Sequence, residues 1–454
     1  MKLPRIMIAA PGSGSGKTLL TCGILGMLKK ENKDVIAYKC GPDYIDPMFH
    51  RTVLEIETEN LDTFFTGEEG TKELFCQTAC GREISVMEGV MGLYDGLGGV
   101  REEGSAYHLA KVTKTPIILV VDVRGMGKSM IPLIKGFKEY DTENLIKGII
   151  LNRISKSFFD TMKPLIEDEI DIPVLGYFPN RKEIHLESRH LGLVMPEEIV
   201  DIKEQLKIVT EQVYESIDIE KLLNIANGAC ELDYQEQKEE IKTQDKLRIA
   251  IARDKAFCFY YNVNIRELEK HNIQICYFSP LEDEKLPDNI DGLLLGGGYP
   301  ELYGKELSAN ESMIKSICSV IEGGIPLLAE CGGFMYLHKS ITDKDEKEWP
   351  MVGVIDGSIN YQGKLVRFGY VEIEEKSSEF LHKDGKIKAH EFHYFDSTNN
   401  GDGCIATKPV TGKNWDCIHK KENWFVGFPH LYYPSAPEFV DHFAECMRIY
   451  KEIK

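Results

Sequence analysis

No stretch of this 454-residue chain stays apolar for long. Its first apolar run, Arg5 to Ala10, passes after a few residues into a glycine loop. The start MKLPRIMIAAPGSGSGKT therefore reads as neither a signal peptide nor a membrane span, and a cytoplasmic protein with no membrane partner is expected. Positive charge is also scarce: 54 Lys and Arg face 73 Asp and Glu, a formal net charge of -19. That balance argues against nucleic acid, whose phosphates need a basic surface, and a polyanionic small molecule would need a local cationic patch. The 12 cysteines lack paired short spacings, and Cys76 with Cys80 misses the usual zinc-ligand spacing. Reduced thiols, with neither disulfides nor structural zinc, are the expectation. Low-complexity tracts are missing too, and 43% hydrophobic with 28% charged residues is the composition of a folded globular protein.

The length exceeds what one ordinary core holds, so two domains are expected. Apolar runs at Arg5 to Ala10, Val35 to Lys39, Ile84 to Val90, Ile117 to Asp122 and Ile149 to Asn152 alternate with helix-like stretches. This alternation predicts an α/β fold, a doubly wound, mostly parallel sheet covered by helices. From Asn227 to Lys246 the sequence NGACELDYQEQKEEIKTQDK loses apolar periodicity and becomes strongly charged. Residues 1–226 are thus read as one domain, 227–246 as a linker and 247–454 as a second domain. The second is also α/β, with runs at Leu247 to Ala252, Ile273 to Phe278, Leu293 to Leu295 and Leu327 to Ala329 and no internal repeat.

Pro11 to Thr18 reads PGSGSGKT between the first strand and a helical stretch from Lys17 to Lys30, the context a phosphate loop requires. Gly12, Ser13, Gly14, Ser15 and Gly16 would turn backbone N–H groups toward the phosphates of ATP. Lys17 would reach the terminal phosphates and the Thr18 hydroxyl would ligate Mg2+. Pro11 occupies the first position of the strict Gly-x-x-x-x-Gly-Lys-Ser/Thr pattern, so this is a variant loop. Two acidic segments, Cys40 to Pro47 (CGPDYIDP) and Met87 to Gly96 (MEGVMGLYDG), follow strands. They place Asp43, Asp46 and Glu88 at the sheet edge where the loop lies, near magnesium and the γ-phosphate; the alternative is a set of turn acids capping helices. Asp95 reads as an ordinary Asp-Gly turn. Asn152, at a strand end, is a candidate contact for an adenine edge. Arg181, Lys182, Arg189 and His190 concentrate positive charge within Asn180 to Glu197, a candidate binding segment for substrate carboxylates unless it is a solvated helix face.

In the second half, PLLAECGGFMYL (Pro326 to Leu337) runs from an apolar strand into a probable-helix pattern, setting Cys331 on a strand-to-helix elbow. A thiol at a helix N-terminus is expected to have a lowered pKa. Upstream, LLLGGGYPEL offers backbone N–H groups of Gly297 and Gly298 to an oxyanion, together with that of Gly332. His430, after another apolar strand, is the candidate base. His390 and His393, in AHEFH, lack the spacing of a His-Glu-x-x-His zinc helix and read as substrate contact or packing.

These elements resemble a class I glutamine amidotransferase domain. The elbow of that family usually reads Gly-x-Cys-x-Gly, whereas Ala329 holds the first position here; the usual glutamate two residues after the histidine is Tyr432, leaving a Cys-His pair. With CGPDYIDP, RHLGLV, ARDKAFCFYY (Ala252 to Tyr261) and LGGGYPEL added, essentially the whole chain resembles the cobyrinic acid a,c-diamide synthase family. The resemblance implies a dethiobiotin-synthetase-like P-loop domain joined to a flavodoxin-like amidotransferase domain. It also implies glutamine hydrolysis at Cys331, ammonia passing to the first domain, and ATP-dependent activation of carboxylates on a corrinoid or related tetrapyrrole. Lys17 and Thr18 would then serve ATP and Mg2+, Asp43 and Glu88 the metal or phosphates, and Asp46 the orientation of reactants. Tyr44, Arg181, Arg189 and His190 make up the candidate substrate-binding set. Hydrogenobyrinic acid and nickel-sirohydrochlorin remain rival acceptors, and a homodimer stays open. A partitioning-type ATPase would account for the variant loop but not for Cys331, His430 and LGGGYPEL.

Overall fold

The computed structural model describes residues 1–181, 184, 202–234, 246–382 and 385–454. The chain divides into two compact units, Met1–Gln237 and Lys238–Lys454. Among the described residues no helix is long and apolar enough to cross a membrane.

In the first unit the order is β1 (Arg5–Ala9), α1 (Lys17–Lys30), β2 (Val35–Cys40), α2 (Ile45–Val53), β3 (Thr58–Leu61), α3 (Thr63–Ala79), β4 (Ile84–Glu88), β5 (Ile117–Asp122), β6 (Ile146–Asn152) and β7 (Val174–Phe178), with further helices between and after the later strands. The seven strands form one sheet in the order β3-β2-β4-β1-β5-β6-β7, and every pairing is parallel. Burial on both faces explains why β1 (RIMIA) and β5 (IILVVD) are nearly continuous apolar runs. Helix Ile202–Ser216 turns Val209 and Val213 into the same core as Leu20, Ile24 and Leu28 of α1. The chain leaves β1 toward β2 on one side and returns through β5 on the other. The loop after β1 therefore lies at the point where strand order reverses, where doubly wound sheets bind ligands.

The second unit begins with β8 (Leu247–Ala252), β9 (Phe257–Phe259), β10 (Ile273–Phe278), β11 (Gly292–Leu295), β12 (Gly297–Gly298) and β13 (Leu327–Glu330). Its central sheet runs β10-β8-β11-β13, continued by Trp424–Gly427 and His419–Lys421; all pairs are parallel except the last. The parallel α/β core is as expected. The sequence reading did not anticipate an added five-stranded antiparallel sheet, built from Asn414–Cys417, Cys404–Thr407, Arg367–Glu375, Lys386–His393 and His430–Leu431. A four-stranded sheet adds Glu348–Pro350, His338–Thr342, Ile355–Tyr361 and Phe395–Ser397. The register Glu330↔Gly427 brings the C-terminal ends of β13 and Trp424–Gly427 side by side.

Candidate active sites

The first centre is built on the phosphate loop. Gly14 and Gly16 have φ of 74° and 94°, a left-handed region that favours glycine, and Gly16 caps α1. A Cβ at Gly16 would come within 2.2 Å of the Asn152 amide nitrogen, so any larger residue would push the loop off β6. Ser15 Oγ donates to Gly12 O at 2.9 Å, folding the loop on itself. Lys17 Nζ donates to Gly12 O at 3.2 Å and to Met91 O, which keeps the ammonium across the loop mouth. Burial, then repulsion from Lys39, lowers its pKa to about 8.

Around the loop the structure gathers Thr18, Asp43, Asp46 and Glu88 as predicted, and supplies a partner the sequence reading missed. Lys39, the fifth residue of β2, is buried, with its Nζ 2.8 Å from Glu88 Oε1, 2.7 Å from Asp46 Oδ2 and 3.9 Å from Asp43 Oδ2. Burial opposes the charge on Lys39, but Asp46, Glu88 and Asp43 outweigh it and hold the pKa well above the ordinary value. Burial drives Glu88 the other way, upward. Thr18 Oγ1 donates to Glu88 Oε1 at 2.6 Å, joining the start of α1 to the end of β4. His50 Nε2 stands 3.9 Å from Glu88 Oε2. Asp43 also does the local work of a turn acid: its Oδ1 accepts from Ile45 N at 2.8 Å and Asp46 N at 3.2 Å, opening α2. Asp95 likewise closes its own turn by accepting from Gly92 N at 3.0 Å.

Among the described residues no group of three or more His, Cys, Asp and Glu side chains is placed to hold a metal ion. A magnesium ion carried on nucleotide phosphates needs only one or two protein oxygens, because it keeps waters and phosphate oxygens as its other ligands. Thr18 Oγ1 and Glu88 fit that demand. Glu88 Oε2 is fully buried with no hydrogen-bond partner, an arrangement that a cation would satisfy.

Three candidates near this centre have structural places of their own. The Asn152 amide nitrogen donates to Ser15 O at 2.7 Å, and the residue is 1% exposed, so Asn152 braces the loop backbone instead of presenting that donor to an adenine edge. The Arg181 guanidinium is held by Gln212 Oε1, with Nε at 3.1 Å, which ties it to helix Ile202–Ser216. Tyr44 is buried beside the start of α2. Lys182, Arg189 and His190 lie outside the described residues.

The second centre stands where β13 ends. Cys331 has φ 44° and ψ -103°, strained for a residue with a Cβ, as a nucleophile elbow requires. The strain is held by Cys331 N donating to Gly427 O and Gly333 N to Gly296 O, both at 2.9 Å. A Cβ on Gly332 would lie 2.9 Å from Gly298 N, and one on Gly297 would lie 2.3 Å from His430 Cε1. Gly297, Gly298, Gly332, Cys331 and His430 are thus brought together, and the three glycines leave the space that the approach needs. The His430 ring stacks on His390 at 4.8 Å between centroids and 16° between planes, and Tyr261 Oη lies 3.1 Å from His390 Nδ1. His393 stacks on Phe428 at 3.9 Å. His390 thus packs on the face of the base, and His393 packs on Phe428.

The expected lowering of the thiol pKa is reversed. Burial, followed by the negative charge of Glu301, pushes the Cys331 thiol up. The helix after it, Gly332–Tyr336, spans five residues, too short a dipole to offset burial. Burial also lowers His430 to about 3 and raises Glu330 to about 8. Cysteine and histidine therefore rest as a neutral pair. The position two residues after the histidine is the fully buried Tyr432, yet a carboxylate is present: Glu330 Oε2 lies 3.8 Å from His430 Nδ1. Sequence reasoning missed it because it looked downstream of the histidine, although Glu330 was in view next to the nucleophile.

Comparison with known proteins covers both units. Residues 6–194 match the CobQ/CobB/MinD/ParA nucleotide binding domain, and residues 248–435 the CobB/CobQ-like glutamine amidotransferase domain. Over 443 residues, 97% of each chain, the sequence is 40% identical to a cobyrinate a,c-diamide synthase of Caldanaerobacter subterraneus subsp. tengcongensis. It is 38% identical over 442 residues to that of Listeria innocua, covering 95% of this chain and 97% of the other. The synthase of Clostridium tetani is 39% identical over 446 residues, with 97% and 99% covered. With a phosphate loop closed over Lys17 and a Cys331–His430 pair on one chain, and full-length likeness at this level, the chain belongs to the cobyrinate a,c-diamide synthase family.

Proposed function

We propose that this glutamine-hydrolysing carbon–nitrogen ligase amidates the a and c acetate carboxylates of cobyrinic acid, a step of cobalamin biosynthesis, using ATP and glutamine as co-substrates. The observation that carries the reading is the presence of both centres on one chain whose relatives, over nearly their full length, bear that name.

At the second centre His430 takes the Cys331 proton, and the thiolate attacks the side-chain carbonyl carbon of glutamine. Backbone N–H groups of Gly298 and Gly332 receive the developing oxyanion. Collapse expels ammonia, protonated by His430, and leaves a glutamyl thioester that water hydrolyses to glutamate. At the first centre a carboxylate oxygen of the macrocycle attacks the γ-phosphorus of ATP, and ADP leaves. The acyl phosphate is then attacked by ammonia, giving the amide and inorganic phosphate. Activation is needed because a free carboxylate is too poor an electrophile to react with ammonia. Lys17 counters charge on the terminal phosphates, and Asp46, held by Lys39, orients the reactants. Thr18 and Glu88 would hold magnesium, which would offset phosphate charge, with Asp43 near them.

The test is ATP- and Mg2+-dependent release of glutamate from glutamine, with cobyrinic acid, hydrogenobyrinic acid and nickel-sirohydrochlorin compared and product masses recorded. Cobyrinic acid should stimulate release and gain two amides. Stimulation by a different macrocycle alone would replace the acceptor, and no stimulation by any would overturn the reading.

A further inference from the structure

We propose that Glu330 is the positioning residue of the glutaminase centre, its carboxylate holding the His430 imidazole in the tautomer and orientation that accept the Cys331 proton. The inference rests on the glutaminase reading above and deepens it.

The placement follows from the sheet. Glu330 is the last residue of β13 and pairs in register with Gly427, three residues before His430. Residues 330 and 331 of a continued strand would point to opposite faces. The elbow at Cys331, with φ 44°, breaks that alternation, so neighbouring residues of one segment can serve the same histidine. The carboxylate is buried and collared by the segment that bears the base. Tyr433 Oη donates to its Oε1 at 3.3 Å, the Leu431 backbone N–H also bonds to it, and Oε2 faces His430 Nδ1 at 3.8 Å. At 3.8 Å this is an approach and not yet a hydrogen bond; catalytic contacts of ligand-free enzymes commonly tighten when substrate binds.

The histidine ring has little freedom to choose another pose. Gly297 lies against its Cε1 edge and His390 stacks on its face. With Nδ1 turned to Glu330, the thiol proton is assigned to the other ring nitrogen, Nε2. When Glu330 is ionised and accepts from Nδ1–H, the imidazolium formed as Nε2 takes the thiol proton is met by that carboxylate, and the thiolate charge passes to the oxyanion. Tyr432, at the place where a glutamate is usual, cannot do this, because a phenol is a far weaker base than a carboxylate.

The test uses the full chain with Glu330→Gln and Glu330→Asp, wild type and Cys331→Ala run in parallel. Glu330→Gln should lower kcat for glutamine hydrolysis by about a hundredfold or more with KM for glutamine changed less than about threefold, the signature of an interaction made in the transition state. Glu330→Asp, which keeps the charge on a shorter stem, should recover at least about tenfold of that loss. Near-UV circular dichroism of the full chain reports whether each variant is folded, and ammonium-supported amidation reports that the first unit is intact. Glutaminase kcat within twofold of wild type for Glu330→Gln would overturn the proposal. So would loss of the native near-UV signal in both variants, since the carboxylate would then serve the fold. A wild-type chain that hydrolyses no glutamine would instead sink the glutaminase reading itself.

Discussion

In the first unit Lys39 lies between Glu88 and Asp46, so the buried acids around the loop have an ammonium within ion-pair distance. In the second unit Cys331, Glu330 and His430 are pushed toward their neutral forms by burial. The difference follows the chemistry each must do. Phosphoryl transfer needs fixed charges in place before ATP arrives, since the transferring group is itself highly charged. Thiol attack on an amide needs charge only during the reaction, and a site that stores none at rest can be dry and closely packed.

Three experiments would break or sharpen this contrast. The largest effect is expected from Cys331→Ala: glutamine-dependent amidation should fall by at least about a thousandfold while high ammonium still supports synthesis, because removing one member of a nucleophile–base unit removes nearly all its benefit. Loss of both activities, measured as amide product, would mean that the two centres are not chemically separable. Next is Lys39→Met, which strips the buried carboxylates of their counter-charge. Breaking one partner of a buried ionic cluster costs about 3–5 kcal/mol, to be read as a lowered urea midpoint for the first unit, with glutaminase activity retained.

The smallest effect is a pH dependence of nucleotide affinity. With its pKa near 8, Lys17 carries its proton at pH 7 and loses it as pH rises through that value. The Kd for ATP should therefore rise between pH 7 and 9, by at most roughly tenfold per pH unit for one linked proton. The stability of the ligand-free chain responds with the opposite sign. Between about 8 and the ordinary 10.5, the unfolded chain binds more protons at Lys17 than the folded one, so this residue's contribution grows with pH. Calorimetric titration with ATP at pH 7, 8 and 9 checks the binding half; an unchanged Kd would show that Lys17 is not the group that titrates.

Parts of this molecule were legible because local chemistry and tertiary role coincide. Strands β1, β5, β8 and β10 are bounded apolar runs, and the loop before α1 announces itself by glycines that need left-handed φ. Strand β3 is different. Its sequence TENL is polar, yet all four residues are buried, since Thr58 Oγ1 donates to Ile56 O and Asn60 Nδ2 donates to Gly41 O and Asp43 O. Periodicity carries no trace of such remote partners. The antiparallel sheets of the second unit escaped for a related reason: segments such as RFGYVEIEE gain their meaning only from the strands they pair with.

The same division runs through the sites. The sequence by itself determined the two α/β cores and the glycine loop between β1 and α1, and it picked out Cys331 and His430 as candidates, because each is marked by its near neighbours along the chain. Only the tertiary structure decided that Lys39 neutralises Asp46 and Glu88, that Asn152 braces the loop, and that the Cys331 thiol lies too deep to be acidic. Glu88 is 49 residues from Lys39 and Ser15 is 137 from Asn152. Charge balance and desolvation depend on what surrounds a group in space, and parallel strands joined by crossover helices assemble those surroundings from distant parts of the chain.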